Sequence, residues 1–155
     1  MLTGGSIHRW RRGHRRRTAN GVGVFGGPGS ADDPQALADL LDRHEAITRW
    51  AEAAGADLPV STAGVRTVEA LIDTWRDSPS PQLTNRVGLF LGTVMTREIT
   101  GARWHLWPNG HPVVRLVTGE DVDVTALAAA RVRSGRPSLT AVLERAAAAD
   151  GPGPR

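Results

Sequence analysis

Apolar residues along this 155-residue chain change their spacing twice. From residue 34 to about residue 97 they recur every three or four positions, the period of a helix lying on a core. From residue 102 to 124 they alternate one by one, as in a half-buried strand. From residue 126 the helical period returns. In the first region Leu37, Leu40, Leu41, His44, Ile47, Trp50, Ala51 and Ala54 predict one helix. Asp32-Asp33-Pro34 supplies an acidic N-cap with proline at the first helical position, and Gly55 supplies the C-terminal cap. A second helix is predicted from Ser61 or Thr62 to Trp75, with Val65, Val68, Leu71, Ile72 and Trp75 on one face. Pro79 and Pro81 mark a break. A third helix runs from about Pro81 to Arg97 with the stripe Leu83, Val87, Phe90, Leu91, Val94 and Met95. Gly88 and Gly92 lie four apart on one side of it. In a membrane that spacing would suggest helix dimerisation; in a helix this short it predicts tight internal packing.

Ala102–Trp107, Pro112–Val117 and Glu120–Val124 alternate at period two and predict a three-stranded antiparallel meander. Pro108-Asn109-Gly110 and Thr118-Gly119 are its turns. A two-residue Asn-Gly loop would place Trp104 opposite Arg115 and Leu106 opposite Val113. A three-residue loop would place Trp104 opposite Val114, with Leu106, Val114 and Leu116 sharing a face. Proline then takes the second turn position, asparagine the third, and glycine the left-handed position of a bulge. The second register makes one face uniformly apolar and is preferred, because a slip of one residue would expose that face. Thr125 is the predicted N-cap of a short helix, Ala126 to Ser134, closed by Gly135. Pro137-Ser138 starts a last helix through about Ala149, with Leu139, Val142, Leu143 and Ala146 inward. The expected fold class is therefore α+β: three N-terminal helices, a three-stranded antiparallel meander and two short C-terminal helices. Trp50, Trp75 and Trp104 are the expected core anchors, each worth roughly 3–5 kcal/mol against alanine if buried.

Charge divides the chain. Residues 1–20 carry six arginines and no acid, whereas the rest carries thirteen arginines against sixteen acids. Residues 1–30 are basic and glycine-rich and cannot bury enough apolar surface to offset chain entropy. The expected organisation is a disordered arm over 1–30, one domain over 31–149 and a flexible tail over 150–155. A transient helical turn is allowed around Ile7–Arg12. There is no cysteine, which excludes disulfides and thiolate metal sites and fits a cytoplasmic location. The longest apolar run, Val87 to Met95, is half the length a membrane span needs.

The stretch Leu89-Phe-Leu-Gly-Thr-Val-Met, the block Gly101-Ala-Arg-Trp-His-Leu-Trp-Pro-Asn-Gly-His-Pro-Val-Val-Arg-Leu and the run Asp121-Val-Asp-Val-Thr together resemble a family of uncharacterised actinobacterial proteins, chiefly from streptomycetes. The absence of lysine and the abundance of arginine and alanine agree with that source. The resemblance covers about residues 35–147 and is tightest from 88 to 125. It implies a fold and carries no activity.

The chemistry on offer is sparse. Gly21-Val-Gly-Val-Phe-Gly26 matches the dinucleotide fingerprint literally. It follows an arginine run rather than a strand, and Gly-Pro-Gly follows it, so the context that motif requires is missing. No Gly-x-Ser-x-Gly elbow, His-Glu-x-x-His or reactive cysteine is present. No catalytic residue and no cofactor is assigned, although a site assembled from distant residues would leave no local signature. Arg103, His105, Trp107, His111, Val113 and Arg115 are predicted to share the outer face of the hairpin. Arginine and tryptophan are preferred interface anchors, and arginine grips carboxylate or phosphate with two bonds. The plain alternative is that long side chains cover an exposed sheet face, or that the last helices cover it. His105 and His111 with Asp121 or Asp123 could approach a metal, but alternating aspartates on an edge strand more simply protect the edge. Arg9, Arg11, Arg12, Arg15, Arg16 and Arg17, with Trp10 beside them, would attract nucleic acid or another polyanion. The leading expectation is a non-catalytic cytoplasmic interaction domain that meets a protein partner through the hairpin. The alternatives are a nucleic-acid-associated protein acting through the arm and an enzyme of unrecognised type. Neither the partner nor the oligomeric state is legible.

Overall fold

Pro34 occupies the start of the first helix, as its fixed φ and missing N–H favour. The computed structural model describes residues 34–75 and 80–149. The predicted arm, the Asp32-Asp33 cap, the glycine fingerprint, Pro79 and the predicted tail lie outside those residues. Six helices and three strands follow in order: α1 (Pro34–Leu41), α2 (Glu45–Ala53), α3 (Thr62–Thr74), α4 (Pro81–Glu98), β1 (Arg103–Leu106), β2 (Pro112–Arg115), β3 (Asp121–Val122), α5 (Val124–Ser134) and α6 (Leu139–Ala149). The strands form one antiparallel sheet in the order β1-β2-β3. The α+β class, the meander and the two C-terminal helices agree with the expectation.

The single helix expected over residues 34–54 is two, α1 and α2, broken at residues 42–44. The reason is geometric. In an unbroken helix Leu41 and Ile47 would point about 120° apart. Here both are fully buried, because the break turns α2 so that Ile47 and Ala51 face the same core as Leu37 and Leu41. At the break, the Thr93 hydroxyl of α4 meets Asp42 Oδ1 at 2.8 Å and His44 Nε2 at 2.9 Å. Thr93 has no exposure, so its hydroxyl must find partners inside the protein; Asp42 and His44 join the Leu89 carbonyl of its own helix, 3.1 Å away, in providing them.

α4 is the axis of the molecule. Its predicted stripe is real, but burial extends all round it: Thr84, Asn85 and every residue from Val87 to Met95 are buried. α2, α3, α5, α6, β1 and β2 all pack against it. A helix apolar on all sides belongs inside rather than at a boundary. Gly88 and Gly92 explain how neighbours come so close. A Cβ on Gly88 would sit 2.7 Å from Thr125 Cα, at the start of α5, and one on Gly92 would collide with the Trp104 ring. The tight-packing reading of this glycine pair holds.

Trp104 is buried against α4 as expected. Trp50 and Trp75 are only half-buried and pack against each other at the rim, ring centroids 4.8 Å apart and planes tilted by 52°. The last two helices end as predicted, with Gly135 capping α5 at φ 73°. The last helix starts at Leu139, just after Ser138, as expected, but the cap of α5 differs. Asp123, not Thr125, caps α5, accepting from Ala126 N at 3.0 Å. Asp123 thereby ends β3 after two residues, shorter than the five-residue alternation suggested.

Candidate functional site

The hairpin is closed by Trp107-Pro108-Asn109-Gly110. Gly110 N donates to Trp107 O at 2.7 Å and Trp107 N to His111 O at 3.0 Å. Gly110 has φ 82°, a conformation a side chain would strain. Asn109 Oδ1 accepts from His111 N at 3.0 Å. Trp104 faces Val114 and Arg103 faces Arg115, the three-residue-loop register.

That register places Arg103, His105, Val113 and Arg115 on the outer face, as predicted, but they are unequally open. Arg103 is exposed and His105 half-buried, whereas Val113 has no exposure and His111 is 4% exposed. The face is therefore closed at its centre. Trp107 and Arg115 converge on a residue not foreseen as their partner, Asp121 of β3. Arg115 Nε and Nη2 donate to its two carboxylate oxygens at 2.7 and 2.9 Å, and Trp107 Nε1 donates to Oδ2 at 2.8 Å. The fork of Arg115, then the indole N–H, hold the Asp121 carboxyl down to about 2. This clasp ties the turn, β2 and β3 together.

His111 lies beneath the Trp107 ring, centroids 5.4 Å apart. Its Nε2 is 2.9 Å from Asp123 Oδ1 and 3.4 Å from Thr125 Oγ1. The same Asp123 oxygen accepts from Ala126 N and the Thr125 hydroxyl. A carboxylate only accepts, so Nε2 carries a proton toward Asp123, and Nδ1 is buried without a hydrogen-bond partner among the described residues. These residue types are those of a nucleophilic triad, but the arrangement is not. Asp123 and Thr125 address the same ring nitrogen, so no relay runs from carboxylate through imidazole to hydroxyl. Thr125 has no exposure, so its hydroxyl cannot meet a substrate. The group locks the start of α5 to the hairpin.

Beside β3 opens a cleft of about 410 Å³, lined by residues of the β2–β3 turn, β3, α5 and α6. Leu116 and Ala146 are buried at its base; Val122, Leu127 and Val142 are half-buried; Glu120 and Arg145 are exposed. Glu120 and Arg145 have no ion pair among the described residues. No group of three metal-ligating side chains occurs among the described residues.

The sequence singles out the aromatic and basic residues of this region but not the carboxylates that organise them. Asp121 and Asp123 were assigned to edge protection. Their spacing alone would put both on one face of a continuing strand, but the strand ends at Val122 and the chain turns into α5, so the two diverge. One then meets the outer-face arginine while the other is free to cap the next helix. The arm residues Arg9, Trp10, Arg11, Arg12, Arg15, Arg16 and Arg17 lie outside the described residues.

Fold and site together define a small α+β domain in which a central buried helix carries a three-stranded sheet with a clasped hairpin. The chain belongs to DUF6278, a family of unknown function, whose model matches residues 5–149. No curated protein and no solved structure matches it. The family match begins within the arginine-rich segment and includes most of it. No helix of the described residues is long and apolar enough to cross a membrane.

Proposed function

We propose that this chain is a non-catalytic interaction domain whose contact platform is the outer side of the hairpin. Arg103 and His105 are its open contacts; Trp107, His111 and Arg115 form the frame that holds them. The observation that carries this reading is the Asp121 clasp. It holds two long side chains and the hairpin tip in one arrangement, and a surface already ordered loses less entropy when a partner binds. Arg115 keeps 32% side-chain exposure and Trp107 is half-buried, so both still present an edge. The test is a photoreactive residue placed singly at 103, at 105 or at 49, an exposed control on α2, in cells that express the protein. A discrete crosslinked partner at 103 or 105, absent at 49, supports the platform. Equal labelling at all three positions overturns it.

A second reading assigns polyanion binding to the arm. Six arginines without an acid in residues 1–20 support it, as does the extension of the family match to residue 5. It requires nucleic-acid affinity that falls steeply between low and moderate salt. Affinity unchanged by salt, or by substituting Arg15, Arg16 and Arg17 with glutamine, counts against it.

A further inference from the structure

We propose that the cleft between β3, α5 and α6 is the docking site for this chain's own basic segment, residues 9–17, with the Trp10 indole on its apolar base and a neighbouring arginine at Glu120. The inference stands independently of the hairpin platform, because it concerns the edge of the sheet at β3 and uses neither Arg103 nor His105.

The cleft has the composition such a segment requires. Its volume of about 410 Å³ falls within the roughly 300–1,000 Å³ of pockets that enclose a small ligand. Leu116, Val122, Leu127, Val142 and Ala146 make an apolar bed. Three carboxylates, Glu120, Asp121 and Asp123, face one arginine, Arg145, around it. Asp121 is already held by Arg115, and Asp123 by His111 and the start of α5. Glu120 is exposed with no ion pair among the described residues, so it is the acceptor left for an incoming cation.

The segment complements that composition. Trp10 is the single aromatic residue among Arg9, Arg11, Arg12, Arg15, Arg16 and Arg17. An aromatic anchor in an apolar pocket with arginines at the rim is the arrangement that dominates recognition energy. The charge partition agrees: the first twenty residues hold six arginines and no acid, and the remainder has more acids than arginines. Reach is ample. The chain between Trp10 and Pro34 can extend about 80 Å, several times the radius of gyration of roughly 13 Å for a domain of this size. A tethered segment also meets its site at a millimolar effective concentration, which favours docking within one chain over docking between two. Both partners lie inside the family match over residues 5–149.

The chain has no cysteine, so Ser6→Cys accepts one nitroxide label on the full-length protein. Proton–carbon spectra of methyl-labelled protein at low salt are expected to lose the Val122, Leu127 and Val142 signals and keep those of Ile47, with full recovery once the nitroxide is reduced. Adding Glu120→Arg, an exposed position, is expected to restore the three signals without altering the rest of the spectrum. Retention of all three signals in the labelled protein overturns the proposal, as does loss confined to Val113 on the hairpin. A mixture of spin-labelled and methyl-labelled chains separates the remaining case. Signal loss in that mixture would mean that a second copy, not the same chain, fills the cleft. Crosslinking at 103 and 105 reads the hairpin platform separately and is unaffected by either result.

Discussion

Gly92 lies so close to the Trp104 ring that a single added carbon would enter it. Replacing glycine by alanine within a helix ordinarily gains about 1 kcal/mol. At this position the indole must move or α4 must shift, and overpacking of a core costs about 1–3 kcal/mol. Gly92→Ala is therefore expected to lower the urea midpoint with little change in slope; a raised midpoint would show that the ring moves freely aside. His44 makes a second prediction at this scale. Burial lowers its imidazole below the ordinary 6.5, the Asp42 carboxylate pulls the other way, and Arg97, Arg86 and Glu45 also act on it. The unfolded chain thus takes up a proton near pH 6.5 that the folded chain refuses until lower pH. Stability is expected to fall as pH drops below about 6.5, loosening the joint between α1 and α2. His44→Gln should flatten that part of the midpoint-against-pH curve. An unchanged curve would assign the slope to another group.

At the scale of elements, two helices borrow their caps from elsewhere. The Glu98 carboxylate at the end of α4 accepts from the Thr62 backbone N–H at 3.0 Å and from the Thr62 hydroxyl, opening α3 in place of Ser61. The Glu69 carboxylate of α3 accepts from Leu139 N, Thr140 N and the Thr140 hydroxyl, opening α6. Glu69 also takes Arg131 Nε at 3.2 Å, while Arg131 Nη2 reaches Asp73 at 2.7 Å. Burial alone would raise the Glu69 carboxyl, but the bonds from Thr140, Leu139 and Arg131 outweigh it and the net direction is down. Removing one member of a buried pair costs about 3–5 kcal/mol. Because Asp73 still neutralises Arg131, Glu69→Ala is expected near the lower end of that range. A loss under about 1 kcal/mol would mean that the local Ser138 cap, which accepts from Ala141 N, suffices. These borrowed caps were not legible, since a cap is sought among the residues beside a helix start, and Glu69 is seventy positions from Leu139. The spans of α3 and α4 were legible, because Ser80-Pro81 and a sustained apolar period mark them locally. Ser80 Oγ does accept from Leu83 N at 3.1 Å.

For the whole molecule, the meander and its register were readable from Pro108-Asn109-Gly110 and the alternation around it, because a turn and a two-residue period are local properties. The break between α1 and α2 was not. Periodicity counts apolar positions but does not know that Thr93, some fifty residues on, meets Asp42 and His44. The site divides the same way. That Arg103, His105 and Arg115 share one face was legible from their parity, whereas the closure of the face at Val113 and His111 and the role of Asp121 depend on what lies across the sheet. One consequence follows from the position of α4. Helices α2, α3, α5 and α6 and strands β1 and β2 all rest on it, so the amide protons of residues 88–95 have no local opening through which to meet solvent and should exchange with deuterium only when the entire domain opens. Their exchange rate then works as an internal clock: in a buffer free of denaturant, it reads how often each molecule of this protein comes apart.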